Sequence, residues 1–297
     1  MTEPLGARVS AALDRAVHPA VARYTALLAE RAGACAILFY GSNLRTGSLE
    51  GVLDFYVLLP GGVETGIWPR VSYHEWHDQG LDLRAKVASM TLATFASAAA
   101  GGTLDTTIWS RFVQPSALVW HASAADRERV TQAVQQAAIT AAKLAVALGP
   151  PAAAEEVFWR TLFRATYRAE LRIEPRGRED TILKAHAAHF DGLLPAALLA
   201  GGVAVTRNGD ELRPLLAPAE RSRIKRWWRG RRRLGKPLNI IRLVRAIGTF
   251  EGAARYAAWK VERHTGVAVE VTPWREKHPL LAAPGVLWRV WRKRRQR

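Results

Sequence analysis

Cysteine is nearly absent from this chain. Cys35 stands alone among 297 residues, which excludes a disulfide framework, a thiolate zinc site and an iron–sulfur cluster, and fits a reducing compartment. Long apolar runs are missing too. No stretch reaches the roughly 18 residues that a spanning helix needs, and the longest candidate, 192–205, carries Pro195. The opening MTEPLGARVS lacks the charged-then-apolar pattern of a secretory signal. Acid is scarce in one region only: residues 221–297 hold 4 of the 26 acidic residues but 22 of the 43 basic ones. The net charge of +17 therefore belongs to the C-terminal part, and residues 1–220 are close to neutral. A neutral body with a basic end suits work beside a polyanion.

What is present reads as a folded protein. An apolar share of 49% with 23% charged residues is a globular balance, and the length suggests two units of about 150 residues. Residues 8–32 place Val9, Leu13, Val17, Val21, Tyr24 and Leu28 at helical spacing, kinked or divided at Pro19 and stopped at Gly33. Two short apolar runs, 34–40 and 52–59, predict buried strands, with a turn-rich segment between them. Alternation over 81–92 predicts a third strand, with Asp82, Arg84 and Lys86 on its polar side. His74 and His77, without partners at ligand spacing, read as loop residues. Residues 124–148 predict a long Ala-rich helix ended by Gly149–Pro150–Pro151, the preferred domain border. Helix is again expected over 154–200, with a break at 174–177. A hairpin at 198–216 turns on Asn208–Gly209, a further helix spans 237–264, and a short strand spans 267–272.

Two basic stretches carry tryptophan. Arg221–Lys236 has nine basic residues, no acid, and Trp227–Trp228 at its centre. The C-terminal run sets Trp288 and Trp291 beside Arg292 and Lys293. Tryptophan favours the headgroup region and cations favour an anionic leaflet, so these residues are expected to hold the chain on an anionic phospholipid membrane, peripherally on its cytoplasmic face. The plainer reading packs the rings into the core and leaves a solvated basic face. Nucleic acid is the less favoured partner, because no helix-turn-helix, zinc or RNA-recognition signature accompanies the charge.

The chemistry is concentrated in Ile37–Leu59. A strand ends at Tyr40–Gly41–Ser42, and the next strand carries Asp54 among apolar neighbours. Gly41 allows close backbone approach to an anion, Ser42 can donate to phosphate oxygens, and a lone strand carboxylate requires a partner or a cation. Together they describe a triphosphate on a Gly–Ser turn, bridged to Asp54 by magnesium.

FYGSNLRTGS…LDFYVLL resembles the signature of the nucleotidyltransferase superfold, the polymerase-beta-like fold. Within it, the chain is similar to the mitochondrial-type phosphatidate cytidylyltransferases, the translocator assembly and maintenance family. Tyr40, Gly41 and Ser42 match that family's turn, and Leu53, Asp54 and Phe55 match its strand. Lys86 falls on its lysine-bearing strand, and Arg111 with Pro115 on its arginine-containing segment. Tyr167 and Arg172 match a later stretch. Two departures are Tyr56, where a second acid is usual, and Gln114, where the family has lysine.

The resemblance implies an α+β fold. It comprises a nucleotidyltransferase domain with a mixed sheet over 1–150, a mainly helical unit over 151–235 with a winged-helix-like arrangement as one option, and a basic membrane-associating region over 236–297. It also implies Mg2+, a nucleoside triphosphate with CTP favoured, and a lipid-phosphate acceptor. Tyr40, Gly41, Ser42 and Arg111 would bind nucleotide, Asp54, Asp82 and Lys86 would act in catalysis, and Asp54 and Asp82 would hold the metal. Alternatives are another phosphorylated lipid such as a sphingolipid phosphate, a non-lipid acceptor, or an inactive membrane-binding adaptor.

Overall fold

The computed structural model describes residues 3–66, 69–170, 177–249, 252–265, 269–274 and Trp288. The first helical segment is divided, not kinked: α1 (Leu5–Leu13) ends at Asp14, and α2 (Pro19–Ala32) starts on Pro19. Proline suits a first helical position, where its missing N–H costs no hydrogen bond. Gly33, at φ 60°, caps α2 and turns the chain into β1 (Ala36–Tyr40).

A five-residue helix, α3 (Ser42–Thr46), leads to β2 (Leu53–Leu59). Then come β3 (Arg70–Asp78), β4 (Leu81–Thr91), α4 (Leu92–Ala99), α5 (Thr107–Phe112), β5 (Ser116–His121) and α6 (Ala124–Leu148). The sheet order is β3-β4-β2-β1-β5, with β2 and β4 parallel and the other pairs antiparallel. Neither β3 nor β5 follows from the sequence reading. His74 and His77, expected in a loop, lie on β3, an edge strand whose polar pattern hides it.

Alternation divides the sheet into two buried faces. Ile37, Phe39, Phe55, Val57, Ala85 and Val87 pack under α2, whereas Leu38, Tyr40, Tyr56, Leu58, Ala88 and Met90 join α1, α4, α5 and α6. Both faces are covered, which is why β1 and β2 read as continuous apolar runs.

After α6 come β6 (Ala153–Ala154), α7 (Glu155–Ala169), α8 (Arg178–Ala185), α9 (Ala187–Phe190), α10 (Leu193–Ala200), β7 (Val205–Asn208) and β8 (Glu211–Pro214). The hairpin turns at Asn208–Gly209 as expected, and β8 also pairs with β6. α11 (Pro218–Thr249) and α12 (Ala253–Thr265) complete the described elements.

The border expected at 150 separates α6 from α7, yet both contribute to one apolar cluster that runs from Leu5 to Trp228. The border expected at 235/236 falls inside α11, which continues through Pro237. The helix expected over 237–264 is therefore the end of α11 plus α12, separated near Gly252 at φ 77°. The strand expected at 267–272 lies partly outside the described residues, and 269–272 form no strand. The fold is α+β, with a five-stranded mixed sheet and extensive helix.

Candidate active site

Register aligns the candidate residues in one row. Tyr40 on β1 pairs with Asp54 on β2, Asp54 with Lys86 on β4, and Lys86 with Tyr73 on β3. Residues level with one another on adjacent strands share a face and stand about 4.8 Å apart. The row ends at the Gly41 turn, where the backbone takes φ 91° and ψ −163°, a region that only glycine occupies comfortably. A side chain there would also crowd the carboxylate, since a Cβ on Gly41 would lie 3.2 Å from Asp54 Oδ2. Asp54 thus points at the bend, as the sequence reading requires.

The loop between β1 and β2 is tied down from within. Asn43 is buried, and its Nδ2 donates to the carbonyls of Ser48 at 2.9 Å and Glu50 at 2.7 Å. Gly41 and Ser42 remain exposed at the mouth of the site.

Arg111 reaches the row from α5. Its Nη1 donates to Tyr40 Oη at 2.9 Å, and its guanidinium lies 4.9 Å from the centre of the Tyr40 ring and 5.9 Å from that of Tyr56. Burial opposes the Arg111 charge, but Tyr40, Tyr56, Asp54 and Glu170 outweigh it and hold its pKa above the ordinary arginine value. Burial drives the phenols of Tyr40 and Tyr56 up, against the pull of Arg111. The arginine is therefore a permanent cation and both tyrosines stay neutral. Gln114, by contrast, is turned back to the Ser110 carbonyl at 3.0 Å.

Lys86 is half-buried, and its side chain makes no hydrogen bond or ion pair among the described residues. The surface partners that a plain reading would give it are engaged elsewhere. Glu75 lies 3.8 Å from Arg84 and accepts from Tyr73 Oη at 2.9 Å, while Asp82 pairs with His77 at 2.8 Å.

Two expectations are corrected. Asp82 shares the face of Lys86 but lies four residues along β4, about 13 Å away by strand rise, at the exposed β3–β4 turn. There His77 holds its carboxyl below the usual range, and it does not stand with Asp54 as a second ligand. Trp227 and Trp228 are not lipid-facing. Trp227 Nε1 donates to the Gly101 carbonyl at 3.1 Å, and Trp228, only 4% exposed, packs on Trp109. Trp288 is exposed, whereas Arg172, Trp291, Arg292 and Lys293 lie outside the described residues.

The sequence reading missed the groups that hold Arg111 in place. Asp105, 3% exposed, accepts from the Thr107 amide at 3.1 Å and from Arg242 of α11 at 2.6 Å. Glu170, 5% exposed, accepts from the Thr106 hydroxyl at 2.7 Å. Two buried carboxylates thus anchor α5, and buried carboxylates are rare unless so paired. Arg242 lies beyond the basic stretch that ends at Lys236, and nothing in the sequence couples it to Asp105.

From α12, Tyr256 meets Tyr73 at 5.3 Å, and Trp259 lies beneath the guanidiniums of Arg263 at 5.2 Å and Arg84 at 5.9 Å. The C-terminal helices therefore border the same face of the sheet as Asp54 and Lys86.

Magnesium accepts one or two protein carboxylates together with substrate phosphates. Asp54 beside the Gly41 turn fits that role. Tyr56 is a buried aromatic, so among the described residues the row brings a single carboxylate, Asp54, to this point. No protein-family model matches the chain, and no curated protein is significantly similar to it.

Proposed function

We propose that this protein is a nucleotidyltransferase that acts on a lipid phosphate, with CTP and phosphatidate as the first pair to test. The observation that carries the reading is the row Tyr40–Asp54–Lys86, which ends at a glycine turn that brings backbone and carboxylate within contact distance. A triphosphate would lie over Gly41 and Ser42. Asp54 would hold magnesium, which screens the phosphates when bound. An oxygen of the acceptor phosphate forms the new bond to the α-phosphorus, and the bond to the β-phosphate oxygen breaks, so pyrophosphate leaves with that electron pair. The chain itself contributes position and charge. Lys86, without an ion-pair partner among the described residues, is available to a phosphate. Arg111, fixed by Tyr40, sets a positive potential behind Asp54.

Transfer of α-label from a triphosphate into extracted lipid tests this reading. Label is expected with at least one triphosphate and phosphatidate or a sphingolipid phosphate, and its loss in Asp54→Asn. A complete panel without label, or an Asp54→Asn chain as active as the parent, would sink it. Tyr56 at the usual second-acid position favours one other reading, a protein that binds nucleotide without turning it over. Saturable nucleotide binding with no labelled product would select it.

A further inference from the structure

The structure places a second cationic feature far along the chain from Asp54. A cleft of about 390 Å3 opens between the end of α6, α7 and α11. Arg164 and Arg168 of α7 and Arg232 of α11 line it, around Leu148, Ala165 and Trp228. Arg164 is paired with Glu179 at 2.8 Å, whereas Arg168 and Arg232 form no ion pair among the described residues. A cationic rim over an apolar floor matches a phosphate attached to hydrocarbon.

The cleft continues onto the solvent face of α11. Arg226, Arg229, Arg233 and Lys236 are all exposed and recur at threes and fours, so they form one stripe. The one acid of α11, Glu220 in its first turn, pairs with Lys143 at 3.3 Å and Arg223 at 3.5 Å, and no acid lies between Arg221 and Phe250 to neutralise the stripe. Further along, Leu234, Ile240 and Ile241 are 47%, 49% and 51% exposed. Three large aliphatic side chains turned to solvent on a basic helix describe a surface that expects both anions and an apolar phase. A nucleic-acid backbone supplies only the anions.

We propose that this face, the α7–α11 cleft with the outer stripe of α11, docks on an anionic phospholipid bilayer. A headgroup phosphate sits between Arg168 and Arg232, and Leu234, Ile240 and Ile241 enter the interfacial layer. The inference rests on the proposed function for its biological purpose but reassigns the contact from the tryptophan pair to arginine and aliphatic residues.

Co-sedimentation of the full chain with phosphatidylcholine vesicles, with and without phosphatidylglycerol, tests it. Binding is expected only with the anionic lipid. The pairs Arg168→Glu/Arg232→Glu and Arg229→Glu/Arg233→Glu should each weaken it on the order of tenfold. Ile240→Ser/Ile241→Ser should weaken it several-fold at unchanged charge. These positions are exposed, and thermal melting checks that each variant folds. Binding indifferent to phosphatidylglycerol overturns the proposal. So does equal competition by duplex RNA with no effect of the serine pair, which marks a nucleic-acid surface instead. Sedimentation needs no triphosphate. A chain that docks but never transfers label overturns only the reaction, and one that labels a short-chain soluble acceptor but ignores vesicles overturns only the docking face.

Discussion

Trp228 and Arg229 are neighbours in sequence and opposites in environment. The ring of Trp228 is enclosed against Trp109, while Arg229 faces solvent. A similar division separates the sheet from α11. Against the inner face of the sheet, polar groups of β1, α5 and the segments before α5 and after α7 turn inward, and Arg111, Tyr40, Asp105 and Glu170 each have a partner. On α11 the aromatic groups turn inward and most of the charges turn out. Buried charge demands a partner that the fold itself supplies, whereas exposed charge is left for a partner outside the molecule.

The largest expected break in this contrast is at Asp54. Asp54→Asn keeps shape but removes the charge, and should lower label transfer on the order of a thousandfold with an unchanged melting temperature. Loss of fold instead of activity would make Asp54 structural.

The tryptophan pair comes next. Trp228→Ala should cost about 3 kcal/mol in denaturant unfolding, while Arg229→Ala should stay within about 0.5 kcal/mol. Equal and small effects would return Trp228 to the surface.

Gly41→Ala tests the turn. The positive φ and the nearby Asp54 Oδ2 together predict a loss of about 1–3 kcal/mol and a drop in transfer. A fully stable, fully active variant would show that the bend does not need glycine.

A further effect concerns pH. Burial pushes the pKa of His186 down to about 4, aided by the nearby charges of His189, Arg45 and Arg15. The unfolded chain takes up a proton near the ordinary 6.5, so this contribution to stability is present above that pH and is lost as pH falls toward 4. Melting curves of His186→Gln across that interval should decline less steeply than those of the parent.

Much of the central frame was legible. The apolar runs at 34–40 and 52–59 and the alternation at 81–92 appear as β1, β2 and β4, and the Asn208–Gly209 turn appears where expected. Edge strand β3 was not legible, because an edge exposes polar side chains and its pattern resembles a loop. Asp105 and Glu170 carry no local signal of burial. Their partners, Arg242 and Thr106, lie 137 and 64 residues away in the chain.

By itself, the sequence determined which positions share a face, because strand and helix periods follow from backbone geometry, and it determined where the positive charge accumulates. Only the tertiary structure decided which strands lie side by side, and so brought Lys86 level with Asp54. It also decided which side of α11 meets the core. Tryptophan is as content in a protein interior as at a lipid interface, so only the presence of Gly101 and Trp109 opposite the helix settles its direction.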